Sequence, residues 1–331
     1  MNLNGKRILV TGGAGFIGSH IVDDLLRRGA EVRVYDNFSS GFRENLRHVE
    51  RDIEIIEGDV LDLDSLERAC EGCDAISHQA AQLEIIKCIE TPIEDLRVNA
   101  EGTLNVLECA RRLDIGKVVY ASSACVYGQA KQVPQPEEHP LRPNWPYGVS
   151  KLAAEHYARL SWEYYGIRTI GLRYSIVYGP REWFGRVLTV FLERALDGEP
   201  PVLWGGHQQR DFVYVEDIAR LHTACLEEDG TGAEVFNGST GIGTSIRELA
   251  ELVCERFDLP DPIEEAIAEG EESTLVSGRM RLPAELQRMI LDSTKAHSRF
   301  GWTPETRLPD GLEREMEWLR DHRERWVEMH Y

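Results

Sequence analysis

An open, doubly wound α/β sheet of parallel strands, followed by a smaller C-terminal α/β lobe, is the fold this sequence predicts. Three observations lead there. Short apolar runs alternate with helical patterns through the first half, and such alternation implies parallel strands joined by right-handed crossovers. The first run opens directly onto a glycine-rich turn, Thr11-Gly12-Gly13-Ala14-Gly15-Phe16-Ile17-Gly18. After Tyr178-Gly179-Pro180 the strand–helix rhythm changes, which marks a second unit.

Arg7–Thr11 reads as the first strand, Ile17–Arg28 as a helix closed by Gly29, and Glu31–Asp36 as the second strand. Ile53–Gly58 follows as a strand, Leu63–Cys70 as a helix, and Ala75–Gln79 as a strand. Pro92–Leu113 is a long amphipathic segment and Lys117–Ser122 a fifth strand. Pro146–Tyr165 is a helix whose proline suits the first position, where its missing N–H would have no partner. Arg168–Arg173 makes a sixth strand. Beyond the break, Val187–Leu196 and Ser245–Phe257 read as helices, and Val202–Trp204, Phe212–Val215 and Val235–Asn237 as strands. Residues 260–285 read as acidic, Pro- and Gly-punctuated loops, and Asp310–Trp326 as a charged helix.

Composition narrows the function. With 331 residues, 42% hydrophobic and 28% charged, the chain has the balance of a soluble globular protein large enough for two connected units. No apolar run approaches the ~18 residues of a membrane span, and Met1 leads almost directly into Ile8-Leu9-Val10 without a basic-then-apolar leader, so the cytoplasm is the expected location. A formal net charge of −20 argues against nucleic acid or an anionic membrane as partner. Seven scattered cysteines suggest no disulfide framework. Cys70-Glu71-Gly72-Cys73 spells C-x-x-C, but with no second pair or nearby histidine it reads as a helix end, a turn and a strand start.

The glycine turn follows a strand and opens a helix, the context in which G-x-G-x-x-G (Gly13, Gly15, Gly18) or G-x-x-G-x-x-G (Gly12, Gly15, Gly18) is informative. Glycines let the backbone approach a pyrophosphate, whose charge the helix N-terminus favours. Asp36 closes the second strand, where its carboxylate would accept from an adenosine ribose and repel a 2′-phosphate. The reading is a Rossmann-type domain for NAD rather than NADP, with Gly58-Asp59-Val60 bracketing the adenine. This domain is assigned to residues 1–178 with a contribution from about 212–238, and a mainly substrate-binding lobe to 179–331.

Tyr147 and Lys151 lie four residues apart on the helix from Pro146, so phenol and ammonium can share one face. A nearby cation favours the ionised phenol, which could then take a proton from an alcohol. Ser122 and Ser123 fall just past the fifth strand, at the carboxyl edge where such sheets bind ligands.

Together these motifs resemble the extended short-chain dehydrogenase/reductase family, the NAD-dependent nucleotide-sugar epimerases and dehydratases, and within it the UDP-glucose 4-epimerases most. The landmarks run nearly end to end: T-G-G-A-G-F-I-G at 11–18, H-Q-A-A at 78–81, Asn99 in V-N-A-E-G-T and S-S-A-C-V-Y-G at 122–128. They continue with Y-G-V-S-K at 147–151, L-R-Y at 172–174, Y-G-P-R at 178–181, Q-R-D-F-V-Y-V-E-D at 209–217 and F-G-W-T-P at 300–304. The resemblance implies a catalytic centre of Ser123, Tyr147 and Lys151. Tyr147 would be the acid/base, Lys151 would lower its pKa and hold the nicotinamide ribose, and Ser123 would hydrogen-bond the reacting oxygen. The implied cofactor contacts are Gly12, Gly15, Phe16, Ile17, Gly18, Asp36, Asn37, Asp59, Val60, Ala80, Asn99 and Tyr174, with Tyr147 and Lys151. Substrate contacts would be Ser123, Tyr147, Arg210 and Arg281.

Dehydratases of the family place an acidic pair directly after the Ser/Thr, and the decarboxylases keep the Glu; here Ala124 and Cys125 stand there. That absence favours an epimerase acting at C4 of a UDP-hexose or UDP-hexuronate through a transient 4-keto sugar. The alternatives are a sugar or polyol dehydrogenase/reductase of the same family, then a dehydratase or a non-catalytic NAD-binding regulator. Two departures bear on the substrate. Ile176 replaces an Asn two residues after the Tyr of L-R-Y, and Leu282 replaces a diphosphate-binding Arg for which Arg279 or Arg281 could substitute. His78 is read as a satisfied strand-end residue, Trp145 and Trp183 as cleft-lining or packing residues, and Glu264–Glu272 as a solvated face without metal-binding spacing. The stripes on Leu96–Leu113 and Leu152–Tyr165 suggest, by resemblance, a homodimer interface of four helices.

Overall fold

The computed structural model describes residues 1–182, 185–230, 232–281 and 283–325. Six strands of the first half are β1 (Arg7–Thr11), β2 (Glu31–Asp36), β3 (Ile53–Glu57), β4 (Ala75–His78), β5 (Lys117–Ser123) and β6 (Arg168–Tyr174). β7 (Ile176–Tyr178), β8 (Val202–Leu203), β9 (Gln209–Arg210) and β10 (Phe212–Tyr214) come next. β11 (Ala233–Gly238), β12 (Thr244–Ser245), β13 (Ile263–Glu264) and β14 (Arg288–Met289) complete the set. The main sheet has seven strands in the order β11-β6-β5-β4-β1-β2-β3, and every pair in it is parallel. The order reverses between β1 and β4, so a crevice opens beyond their carboxyl ends, where ligands of doubly wound sheets bind.

The helices that cover the sheet are α1 (Phe16–Arg27), α2 (Leu63–Cys70), α3 (Ile85–Glu90), α4 (Pro92–Leu96), α5 (Gly102–Arg112) and α6 (Pro146–Tyr165). Helices later in the chain are α7 (Val187–Leu196), α8 (Val215–Glu227), α9 (Ile246–Phe257), α10 (Thr294–Phe300) and α11 (Leu308–Asp321). Two apolar layers sandwich the sheet. One joins Val10, Val34, Val119 and Ile170 to Ile21 and Leu25 of α1 and Ile218 and Leu221 of α8. The other joins Leu9, Ile76 and Val118 to Leu66 of α2, Val106 and Leu107 of α5 and Ala158 of α6. The lobe has a core of its own, from Phe191 and Leu192 of α7, Leu249 and Val253 of α9, and Leu312 and Met316 of α11. Among the described residues no helix is long and apolar enough to cross a membrane.

Several elements differ from the sequence expectation. Pro92–Leu113 is two helices joined by a wider turn over Arg97–Glu101, which spaces the backbone where Asn99 turns inward. Val215 does not end a strand; it opens α8, whose first turn carries Glu216 and Asp217, residues favoured at a helix N-terminus. The strand around Val235 is longer, Ala233–Gly238, and is the edge of the main sheet. Helices α3 and α10 were not foreseen, being six and seven residues long. The last helix spans Leu308–Asp321, and Trp326 lies outside the described residues. Cys70 and Cys73 are buried free thiols flanking Gly72, whose φ is +72°, and their strand begins only at Ala75.

Candidate active site

The glycine turn links β1 to α1 at the switch point. Gly12 has φ +67°, and a Cβ there would stand 2.6 Å from the Ala80 amide nitrogen. A Cβ on Gly18 would run into the Gly12 carbonyl, so both glycines are required by close backbone approach. Gly15 occupies the N-cap of α1 without a side-chain bond, leaving the first-turn N–H groups of the helix aimed into the crevice. This cradle fits a pyrophosphate. Phe16 and Ile17 begin the helix, with the Phe16 ring edge-on to His20.

Asp36 lies at the end of β2, as expected. One oxygen accepts from the Ala14 N–H at 2.9 Å and the other from Phe38 N–H at 2.8 Å. Burial raises its pKa, and these two bonds oppose the rise. Asn37 is exposed and donates to Asp59 Oδ2 at 2.9 Å, while Val60 is buried under Gly102. Asp36, Asn37, Asp59, Val60 and Ala80 therefore rim one crevice with the glycines. Residues 42–45 latch onto it: Phe42 N–H and Asn45 Nδ2 both donate to the Ala14 carbonyl, at 3.0 and 2.8 Å.

Tyr147 and Lys151 lie on the buried face of α6, Lys151 Nζ 5.8 Å from the Tyr147 ring centre. The helix presses against the turn after β5, because a Cβ on Gly148 would stand 2.5 Å from the Cys125 carbonyl oxygen. That approach brings Ser123, whose Oγ accepts from Cys125 N–H at 3.1 Å, within hydrogen-bonding reach of the phenol. Burial pushes the Tyr147 phenol up, and the Ser123 hydroxyl and the Arg186 guanidinium pull the other way. Burial is the largest effect on both Tyr147 and Lys151. The ammonium is itself pushed down to about 8 by desolvation, with Asp95 and Cys88 opposing, and it donates to the Ala121 carbonyl at 3.0 Å.

A support that sequence reasoning missed lies one turn further along α6. Glu155 takes a bidentate pair from Arg173, at 2.8 and 2.7 Å, and a bond from Ser122 Oγ at 2.6 Å. Arg173 continues to Tyr127 Oη at 3.0 Å, which donates to Asn237 Oδ1 at 2.7 Å. The signal was present: Glu155 follows Lys151 by four residues, and Arg173 is the centre of L-R-Y.

Other expected residues divide clearly. The Asn99 amide is committed inside the protein, to both backbone groups of Gln82 and to Asp95 and Ser150. Tyr174 Oη sits 3.1 Å from His222 Nδ1 in a buried position. His78 lies between Thr11 and Thr103 hydroxyls at 2.7 and 3.0 Å, and desolvation lowers its pKa to about 3, so the ring is neutral. Thr103 gives its proton to the Asn99 carbonyl, so His78 carries its own on Nε2. Trp145 is buried and donates to the Pro283 carbonyl at 2.9 Å. Ile176 packs in the apolar cluster around Tyr147. Trp183 and Leu282 lie outside the described residues. Arg210 and Arg281 come together around Glu285, and Arg279 donates to the Gly185 carbonyl at 3.3 Å.

A parallel sheet with this glycine cradle and a buried Ser–Tyr–Lys group defines the class of NAD-dependent enzymes that act on an alcohol carbon. The chain belongs to the NAD dependent epimerase/dehydratase family, whose model matches residues 8–237. It is 37% identical over 321 residues to a putative UDP-glucose 4-epimerase of Methanocaldococcus jannaschii, covering 95% of this chain and 99% of the relative. Its fold matches a Thermus thermophilus UDP-glucose 4-epimerase in complex with NAD, at a TM-score of 0.84 and 36% identity, covering 96% and 99% of the two chains. A Thermotoga maritima UDP-glucose 4-epimerase with UDP-glucose matches equally, at TM-score 0.84, 35% identity and coverage of 95% and 99%. The protein is an NAD-dependent epimerase of this family.

Proposed function

We propose that the enzyme inverts C4 of a UDP-hexose or UDP-hexuronate, with Ser123, Tyr147 and Lys151 as its catalytic residues. The observation that carries this is the side-chain set around the phenol. Ser123 is within reach of it, while Ala124 and Cys125, the next two positions, are buried and lack a carboxyl group. Burial raises the Cys125 thiol, so it is no substitute acid. Without an acid to expel a hydroxyl, the residues support removal and return of one proton at one oxygen.

NAD, when bound, supplies the acceptor and then the donor of hydride at the sugar carbon. Tyr147 accepts the hydroxyl proton as hydride leaves and gives it back on return. Ser123 holds the same oxygen, and Lys151 holds the ribose and keeps positive charge beside the phenolate. The glycine turn, Phe16, Ile17, Asp36, Asn37, Asp59, Val60 and Ala80 hold the dinucleotide, while Asn99 and Tyr174 set the floor beneath it. Arg210 and Arg281 hold the diphosphate of the sugar nucleotide. Proton NMR of UDP-glucose, UDP-glucuronate and dTDP- and GDP-sugars with the purified enzyme tests the reaction. A new C4 epimer without net NADH is expected; unchanged C4 configuration across the panel overturns the reading, and stoichiometric NADH would replace it by a dehydrogenase.

The same reading extends to assembly. Ile93, Leu96, Leu104, Val149, Tyr157 and Tyr164 are exposed on α4, α5 and α6, an apolar surface of the kind that closes against a second copy.

A further inference from the structure

Arg210 and Arg281 face a carboxylate of their own chain. Glu285 Oε1 lies 3.7 Å from Arg210 Nη2, and Oε2 lies 3.3 Å from Arg281 Nε. Gln208 Nε2 donates to the same Oε2 at 2.8 Å. The group is largely enclosed, with the Arg210 and Glu285 side chains 13% and 15% exposed. Trp145, two residues before Tyr147, donates to the Pro283 carbonyl, so the segment that carries this anion site adjoins the reaction centre.

The Glu285 backbone is anchored separately from its carboxylate. Its carbonyl accepts from Gln129 Nε2 at 2.9 Å, the Pro283 carbonyl accepts from Trp145 Nε1 at 2.9 Å, and Leu286 is buried beside them. The side chain can therefore rotate while its segment stays docked above the catalytic helix.

Resting on the nucleotide-sugar reading, we propose that Glu285 is a stand-in anion: it keeps Arg210, Arg281 and Gln208 in place for a nucleoside diphosphate and turns away when one binds. Guanidinium groups bond phosphate through paired, charge-assisted hydrogen bonds, and a diphosphate brings more charge and more acceptor oxygens than one carboxylate. It therefore displaces Glu285, whereas a nucleoside monophosphate competes on nearly equal terms and is disfavoured. The observed affinity is the intrinsic one reduced by the fraction of molecules in which the carboxylate has turned away. Glu285 thus sets both affinity for the substrate and selectivity for two phosphates over one.

Calorimetric titration of the NAD-loaded enzyme with UDP, dTDP, GDP and UMP tests this, with Glu285→Gln, which keeps the shape and removes the charge, and Glu285→Asp, which shortens the reach. The Gln variant is expected to bind its preferred nucleoside diphosphate at least tenfold more tightly and UMP more tightly still in proportion. The Asp variant should fall between, and KM for the sugar nucleotide should drop more than kcat changes. A diphosphate that binds wild type well but the Gln variant no better, or more weakly, overturns the role of Glu285 alone. If none of the nucleotides binds either protein, the nucleotide-sugar reading fails and this inference with it.

Discussion

Glu155 and Arg173 meet in a bidentate ion pair beneath the reaction centre, with side chains only 6% and 3% exposed. Removing one partner of such a pair strands the other charge away from water. Glu155→Gln or Arg173→Met is expected to cost about 3–5 kcal/mol of stability, read from urea unfolding. Replacing both by Leu and Met should cost less than either single change, because no orphan charge remains. A double variant as unstable as the sum of the singles would show that the pair acts through packing.

Tyr147→Phe removes the phenolic oxygen and keeps the ring in its apolar surroundings. Turnover should fall by roughly 10²- to 10⁴-fold, the usual worth of a positioned acid/base. NAD retention, read from absorbance of the purified protein, should be unchanged. Full turnover in the variant would remove Tyr147 from the mechanism.

Lys151 gives the reaction a pH limit. Its folded pKa is pushed down to about 8, below the ~10.4 of an exposed lysine. Activity that needs the ammonium should therefore decline as pH rises through about 8. Stability has the opposite sign. Between about 8 and ~10.4 the unfolded chain binds the proton and the folded one does not, so this group favours folding increasingly as pH rises through that window. Lys151→Arg, which stays charged, should move the alkaline limb of the rate profile upward; an unchanged limb would assign it to another group.

Arg325 ties the end of the described chain to the cofactor crevice. Its Nη1 donates to Asn45 Oδ1 at 2.9 Å, with the guanidinium over the Phe42 and Trp318 rings at 4.5 and 5.1 Å. Asn45 in turn donates to the Ala14 carbonyl beside Asp36. Arg325→Ala should weaken NAD binding by about tenfold, the worth of one such contact of ~1.4 kcal/mol, measured by fluorescence titration of the stripped protein. An unchanged affinity would mean that residues 42–45 hold their position without it.

The exposed face of α4–α6 predicts a dimer. Light scattering should give twice the chain mass, and Ile93→Asp with Tyr164→Asp should halve it while leaving the circular dichroism intact. A monomeric wild type at micromolar concentration would contradict this.

The sheet was legible in sequence because its strands are short apolar runs separated by turn residues, and the boundaries of β1, β2 and α6 are those expected. Gly12, Asp36, Tyr147 and Lys151 were legible because each must occupy a fixed place relative to a strand end or helix start. What escaped depended on tertiary context. Helix α8 was hidden because Phe212–Tyr214 continues apolar into Val215, and only the acidic first turn marks the change. The wider turn around Asn99 follows from its bonds to Gln82 and Ser150, residues distant in sequence. The burial of Tyr147 and Lys151, and the desolvation that comes with it, is something no spacing reveals. Likewise, Glu285 stands between two arginines only because β9 and the segment before β14 converge.

All seven cysteines are buried and unpaired, Cys88 and Cys125 among them in the apolar cluster around Tyr147. Their thiols are shielded from water-borne alkylating reagents in the folded protein. A cysteine introduced at Leu275, 46% exposed in the acidic segment of the lobe, would then be the one readily labelled thiol. A single fluorophore there, on an otherwise native enzyme, would report in real time how that segment responds as nucleotide and sugar enter.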